Sequence, residues 1–174
     1  DGVEVFNETE FYPGIIDRAL EKNLFMAGSS DIHGTTAMEY TARDNIRPMT
    51  LILAKDKSEA SLREALKAGR TLAYACNTLC GSKELLTALF RASVTLETVC
   101  EQNERGQTVF WLTNTSSIPY WISINGKNLV YLGPQSGIIV KEKMSQKSFS
   151  IEPANMFCSK DKHPVIVYEI SAKK

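Results

Sequence analysis

Residues 24–34 read LFMAGSSDIHG, an apolar run followed by small and polar residues. If residues 24–27 form a strand, its two-residue period places Asp31 and His33 on one face at the carboxyl end. A carboxylate and an imidazole so placed can share one divalent metal ion, and the surrounding small residues allow a close approach. The alternative is that Asp31 caps a turn and His33 is a polar residue with a local partner. The stretch predicts a metal-binding pair but does not by itself decide between the two.

The histidine count limits what this pair can do. The 174-residue chain has two histidines, and the second, His163, precedes Pro164 in a polar loop where we expect it to be solvated. A hydrolytic centre with two or three metal ions needs more ligands than these residues supply. The chain can therefore hold only part of such a centre.

The composition is that of a soluble globular protein. Apolar residues make up 43%, and 20 basic residues balance 20 acidic ones. No basic run indicates nucleic-acid binding, and no apolar stretch approaches the roughly 18 residues of a membrane span. Cys76 and Cys80 lack the spacing of zinc or redox motifs, so free thiols are expected, with a disulfide as the alternative. The chain reaches a strand-like run two residues after Asp1, which predicts a piece of a longer protein of undetermined compartment.

The first half alternates strand-like and helix-like segments. Strands are predicted at 3–6, 24–27, 50–54 and 71–75, with helices at 13–22 and from Ser58 to about Gly69. This rhythm predicts mainly parallel strands with helices outside, a class whose ligand sites lie at the carboxyl ends of the strands. Asp31 and His33 follow such an end.

The second half has a different pattern. After a helix at about 82–91, short strands alternate with turn residues, and Asn125-Gly126 predicts a hairpin. The aromatic residues of this half are expected mainly in a sandwich core, although they could instead line a groove; they are Trp111, Tyr120, Trp121 and Tyr131. A second hypothesis for the chain is therefore a non-catalytic module whose β half recognises a glycan, peptide or protein partner.

Several motifs within residues 1–80 occur in the order and spacing of a known family. They are Gly2-Val3-Glu4-Val5, the segment 28–34, Arg47-Pro48-Met49-Thr50 and a helix opening at Ser58-Glu59 and ending in Ala68-Gly69-Arg70-Thr71. Together they resemble the C-terminal part of a PHP (polymerase and histidinol phosphatase) domain. Residues 113–120 are similar, more weakly, to the accessory domain that follows some bacterial PHP phosphoesterases.

The resemblance implies a fold, an activity and a metal site. The fold would be α/β plus all-β: the C-terminal portion of a PHP-type distorted (β/α)7 barrel over 1–85, then a small antiparallel β-sandwich over 92–174. The activity would be hydrolysis of a small phosphoester with divalent metal ions, Mn, Zn, Fe or Mg. Asp31 and His33 would be metal ligands.

The chain departs from the family pattern in its missing ligands. The family's His-x-His motif occurs nowhere in the 174 residues, so the chain is either a fragment of a longer enzyme, which its abrupt start favours, or a degenerate relative. No catalytic set is complete, and the isolated chain is expected to be inactive. A split barrel would expose strand edges, which predicts self-association.

Two further residues are candidates for supporting roles. Arg70 could bind a phosphate oxygen through its guanidinium, or simply face solvent at the end of a helix. Glu4 could support the metal site by hydrogen bonding to a ligand, or pair with a nearby basic residue.

Overall fold

The computed structural model describes residues 2–43, 45–101, 103–143 and 148–169, which form two compact units. The first contains residues 2–86 and 155–163, and the second contains 87–154 and the described residues from 164 onward. The strands are β1 Gly2–Asn7, β2 Glu10–Phe11, β3 Phe25–Ser29, β4 Met49–Ile52, β5 Thr71–Ala75, β6 Thr78–Cys80, β7 Val94–Cys100, β8 Thr108–Asn114, β9 Tyr120–Ile124, β10 Leu129–Leu132, β11 Ser136–Glu142, β12 Ser148–Pro153, β13 Met156–Phe157 and β14 Ile166–Glu169. The helices are α1 Gly14–Glu21, α2 Thr36–Glu39, α3 Glu59–Lys67 and α4 Lys83–Ser93, with a 3-10 turn at Thr41–Arg43.

A strand–helix–strand unit carries the candidate metal pair. β1 and β3 are parallel neighbours, and β2 and α1 lie between them in the chain. Ile16 and Ala19 of α1 are buried because they fall on one face of the helix. Parallel pairing brings the carboxyl ends of β1 and β3 to one edge, where Asn7 lies opposite Ser29. The core beneath this edge contains Val5, Phe6, Ile16, Ala19, Met26, Ala73, Ala75 and Cys80.

The predicted barrel is wrong. The described residues form four small sheets in which antiparallel pairing predominates, and they form no (β/α)7 barrel. In the first unit β4, β5 and β6 pair antiparallel. Self-association was predicted from the exposed strand edges of a split barrel. The described residues form no such barrel, and self-association stays an untested prediction.

The path of α3 explains this difference. The amide of Leu53 donates to the carbonyl of Arg70 at 3.0 Å, so residues 54–69 leave and rejoin the sheet at the same end of the β4–β5 pair. The helix therefore lies within a long hairpin connection. A crossover to a parallel strand would instead have returned the chain to the opposite end of the sheet.

Threonine hydroxyl groups of the neighbouring sheet form hydrogen bonds with the backbone of β3. The amide of Met26 donates to Thr71 Oγ1, and the amide of Gly28 donates to Thr50 Oγ1, each at 3.1 Å. The backbones also approach closely, because a Cβ atom on Gly28 would lie 2.9 Å from the carbonyl oxygen of Met49. A glycine at position 28 therefore allows the strand before Asp31 to sit against β4.

We expect Gly28→Ala to lower the free energy of unfolding of the first unit by about 1–3 kcal/mol, because the added methyl group must displace backbone atoms. Native-state hydrogen exchange of the β1 and β3 amides measures this change. Gly14→Ala is the matched control, since nothing lies within 4 Å of a Cβ atom there. Equal exchange protection in the two variants would contradict the close approach.

The second unit consists of two antiparallel sheets. Their strand orders are β11-β8-β7 and β10-β9-β12-β14. Buried and more exposed residues alternate along β8, β9 and β12, the period of strands with one covered face. Side chains from the two sheets meet between them: the rings of Phe110 and Phe149 have centroids 5.1 Å apart.

The hairpin predicted at Asn125-Gly126 is confirmed. Both residues have positive φ, 51° and 68°, and β9 pairs antiparallel with β10.

The prediction that the aromatic residues of this half lie in the core is only partly correct. Tyr120 is fully buried, whereas Trp111 and Tyr131 are 39% and 52% exposed.

None of the helices among the described residues is both long and apolar enough to cross a membrane.

Candidate metal centre

Asp31 lies just beyond the end of β3, as the sequence predicts. Its backbone has a φ of +43°, in the left-handed region that most residues other than glycine avoid. Its side chain remains accessible, with 55% of its surface exposed, and that of His33 is 85% exposed. The pair is therefore presented on the surface at the carboxyl edge of β1 and β3.

The geometry of the pair suits one shared ion. Asp31 Oδ1 and His33 Nε2 are 3.8 Å apart. Two ligand atoms on one tetrahedral zinc ion are separated by about 3.4 Å, given bonds of about 2.0–2.2 Å. A small side-chain adjustment would bring both atoms onto one ion. Among the described residues no group of three or more His, Cys, Asp or Glu side chains could hold a metal ion, and a metal-binding role for the pair stays a prediction.

A cleft of about 640 Å³ opens beside Asp31. Its walls include Glu4, Asn7, Asp31, Arg47 and Thr50, whereas His33 is not part of its lining. Hydrogen bonds from the side chains of Ser29 and Asn7 lower the pKa of the Glu4 carboxyl, which favours the carboxylate near neutral pH. The cleft thus presents two carboxylates and one guanidinium to a small polar ligand.

Glu4 shares the cleft with Asp31 and is hydrogen bonded by Asn7, whose Nδ2 lies 3.1 Å from Glu4 Oε2. Its known partners are therefore an amide and a hydroxyl, rather than the basic residue considered as an alternative. A supporting role at the metal site stays a prediction.

Arg70 lies away from this cleft. Its guanidinium forms an ion pair with Glu64, and its Nε donates to the carbonyl of Leu53 at 3.2 Å. These contacts hold the end of α3 against β4. A role for Arg70 in substrate binding stays an untested prediction, and the structure does not bring it together with Asp31, His33 and Glu4.

Sequence reasoning missed two residues near the pair. Arg47 lines the cleft, and its signal was its place in the Arg47-Pro48 motif just before β4. The hydroxyl of Tyr40 donates to the carbonyl of Ser30 at 2.8 Å, a contact that no local sequence pattern reveals.

His163 is half-buried, whereas the sequence pattern predicts a solvated side chain. Its Nδ1 lies 2.8 Å from the carbonyl oxygen of Met156, and its ring packs edge-on against Phe157, with centroids 4.7 Å apart. Both contacts lie in the segment 155–163 of the first unit, so the structure gives this histidine a local packing role.

Comparison with known proteins shows a likeness to a solved structure. No family model matches the chain, and no curated protein matches it. The chain is similar to a solved structure with a TM-score of 0.87 and 28% sequence identity over 97% of its residues. That structure is of a two-domain protein from Bacteroides vulgatus, described as containing a predicted PHP-like metal-dependent phosphoesterase.

This likeness supports a PHP-like relationship without specifying which part of such a protein the chain represents. The chain spans about half, 52%, of the length of the Bacteroides protein. The comparison gives no support to the alternative of a non-catalytic binding module.

Proposed function

We propose that this chain is the C-terminal part of a PHP-like metal-dependent phosphoesterase and that Asp31 and His33 are two of its metal ligands. The observation that carries the proposal is the 3.8 Å separation of Asp31 Oδ1 and His33 Nε2 at the end of β3. The likeness to a protein containing a predicted PHP-like metal-dependent phosphoesterase supports the same chemistry.

Each residue of the pair has a definite part in this proposal. Asp31 offers an anionic oxygen and His33 a neutral imidazole nitrogen, a donor set that suits Zn, Mn or Fe, with Mg as a further candidate. A divalent ion bound there would polarise phosphoryl oxygens and lower the pKa of a water molecule. The remaining ligands would be N-terminal histidine and glutamate residues of a longer protein, since the 174 residues contain no His-x-His motif.

The cleft beside Asp31 would hold the substrate, a small phosphoester. Its volume of about 640 Å³ is that of a typical small-molecule site. Arg47 provides a guanidinium that can donate two parallel hydrogen bonds to phosphoryl oxygens. Glu4, a carboxylate that lines the same cleft, would repel the phosphoryl group and so favour its placement at Arg47.

We expect a longer protein that includes this chain to hydrolyse bis(p-nitrophenyl) phosphate or p-nitrophenyl phosphate when Mn²⁺ or Zn²⁺ is present. Chelation should abolish the activity, and restoring the metal should recover it, because the ion supplies the electrostatic stabilisation of the reaction. Release of p-nitrophenol measures the rate.

The isolated 174-residue chain serves as the control and is expected to give no measurable turnover. Hydrolysis that persists after complete removal of metal would contradict the proposal. A longer protein whose sequence also lacks a cluster of histidines would contradict the proposal as well.

A further inference from the structure

The hydroxyl group of Tyr40 holds the backbone that leads into Asp31. Tyr40 is 5% exposed, and its hydroxyl donates to the carbonyl oxygen of Ser30 at 2.8 Å. Burial, followed by the nearby carboxylates of Glu8 and Glu39, raises the pKa of Tyr40. The phenol therefore remains a hydrogen-bond donor through the neutral pH range.

This contact acts on the peptide unit that determines where Asp31 points. The Ser30 carbonyl belongs to the peptide bond that ends at the Asp31 nitrogen, and rotation about the next bond is the φ of Asp31. That φ is +43°, a conformation that aspartate adopts more readily than most residues but that still costs free energy relative to the right-handed region. Fixing the Ser30 carbonyl fixes the plane of the peptide unit that carries the Asp31 nitrogen, and so limits where the Asp31 carboxylate can be placed.

A second anchor holds the strand two residues earlier. Thr50 Oγ1 accepts a hydrogen bond from the Gly28 amide at 3.1 Å. The same hydroxyl donates to the carbonyl oxygen of Gly28 at 3.4 Å. Residues 28 and 30 are thus both fixed by side chains from other segments. Asp31 therefore combines an exposed side chain with a constrained backbone, which is the arrangement of a preorganised ligand.

We propose that Tyr40 is a positioning residue for the Asp31–His33 metal pair, acting through the Ser30 carbonyl. The proposal rests on the proposed function, because it assumes that the pair binds a divalent ion. The buried ring of Tyr40 contributes to packing, and Tyr40→Phe retains that ring while removing the hydroxyl.

The test is a titration of the 174-residue chain with MnCl₂. Binding is monitored by NMR, through the paramagnetic broadening of the backbone amide signals of Asp31 and His33. We expect Tyr40→Phe to raise the Mn²⁺ concentration for half-broadening by about tenfold, the effect typical of losing a residue that orients a metal ligand. Tyr74→Phe is the matched control. Tyr74 is 4% exposed, and its hydroxyl donates to Asn77 Oδ1 at 3.1 Å, so the control also removes a buried hydroxyl with a hydrogen bond.

The outcomes separate this inference from the proposed function. A shift of the midpoint in Tyr40→Phe with no more than a twofold change in Tyr74→Phe supports the positioning role. An unchanged midpoint in Tyr40→Phe, or equal shifts in both variants, overturns it while leaving the metal pair intact. If the wild-type chain shows no selective broadening at Asp31 and His33, the positioning inference fails, whereas the metal assignment is decided separately by the metal content of the longer protein.

Discussion

Asp31→Asn is expected to lower the affinity of a longer, metal-loaded protein for its divalent ion by about 100-fold or more, since even residues that only orient ligands are worth about 10–100-fold. The substitution keeps the size of the side chain and removes the negative charge that attracts the cation. His33→Gln should have a comparable effect because the imidazole nitrogen is lost. Metal content after dialysis and the rate of phosphoester hydrolysis measure both changes.

The matched control for these variants is Asp161→Asn, which removes an exposed carboxylate from the same unit but outside the cleft. It should leave metal content and rate close to those of the unmodified protein. Full metal content and full activity in both Asp31→Asn and His33→Gln would show that the pair is not part of the centre.

The second large effect concerns stability, at Asn114 in the second unit. The side chain is fully buried, and its Nδ2 donates to the carbonyls of Ile118 and Gly133 at 2.7 and 2.9 Å. Its Oδ1 accepts from the amide and the hydroxyl of Ser116 at 3.0 and 2.8 Å. Asn114→Ala removes all four of these hydrogen bonds, so we expect the free energy of unfolding to fall by about 3–5 kcal/mol, at about 1 kcal/mol for each bond.

Urea denaturation followed by tryptophan fluorescence suits this measurement, because both tryptophans of the chain, Trp111 and Trp121, lie in the second unit. Asn103→Ala is the control. Asn103 also makes several side-chain hydrogen bonds, but it is only half-buried, so water can replace them and a loss of about 1 kcal/mol is expected. Similar losses in the two variants would show that burial of the Asn114 network is not what stabilises this unit.

Local features of the fold were predictable from the sequence because their causes are local. Asn125-Gly126 forms a turn since both positions need positive φ. Ser58 begins α3 by accepting a hydrogen bond from the Ser61 amide, and Gly69 ends it with a φ of +64°. The strand before Asp31 was predictable from its apolar run.

Strand direction was not predictable in the same way. Helical periodicity around residues 59–67 is the same whether α3 crosses over a sheet or lies within a hairpin connection. The difference depends on the contact between Leu53 and Arg70, which is tertiary. The turn at Cys76-Asn77 was missed for another reason: both residues have positive φ, 47° and 59°, and cysteine rarely adopts it.

The residues of the candidate site also fall into two groups, those indicated by a local sequence pattern and those revealed only by tertiary packing. Asp31 and His33 could be proposed from the sequence because their spacing after a strand is a sequence pattern. Arg47 and Tyr40 reach the same region from later segments, and only the packing of β4 and the α2 region against β3 reveals them. The likeness to the Bacteroides vulgatus protein supports a PHP-like relationship but not the predicted barrel.

Anomalous diffraction from crystals of a longer protein loaded with Mn²⁺ or Zn²⁺ locates the bound ion. We expect an anomalous peak within about 2.0–2.3 Å of both an Asp31 carboxylate oxygen and His33 Nε2, the range of metal–ligand bonds. An ion bound by other residues, with Asp31 and His33 both outside bonding distance, would contradict this expectation.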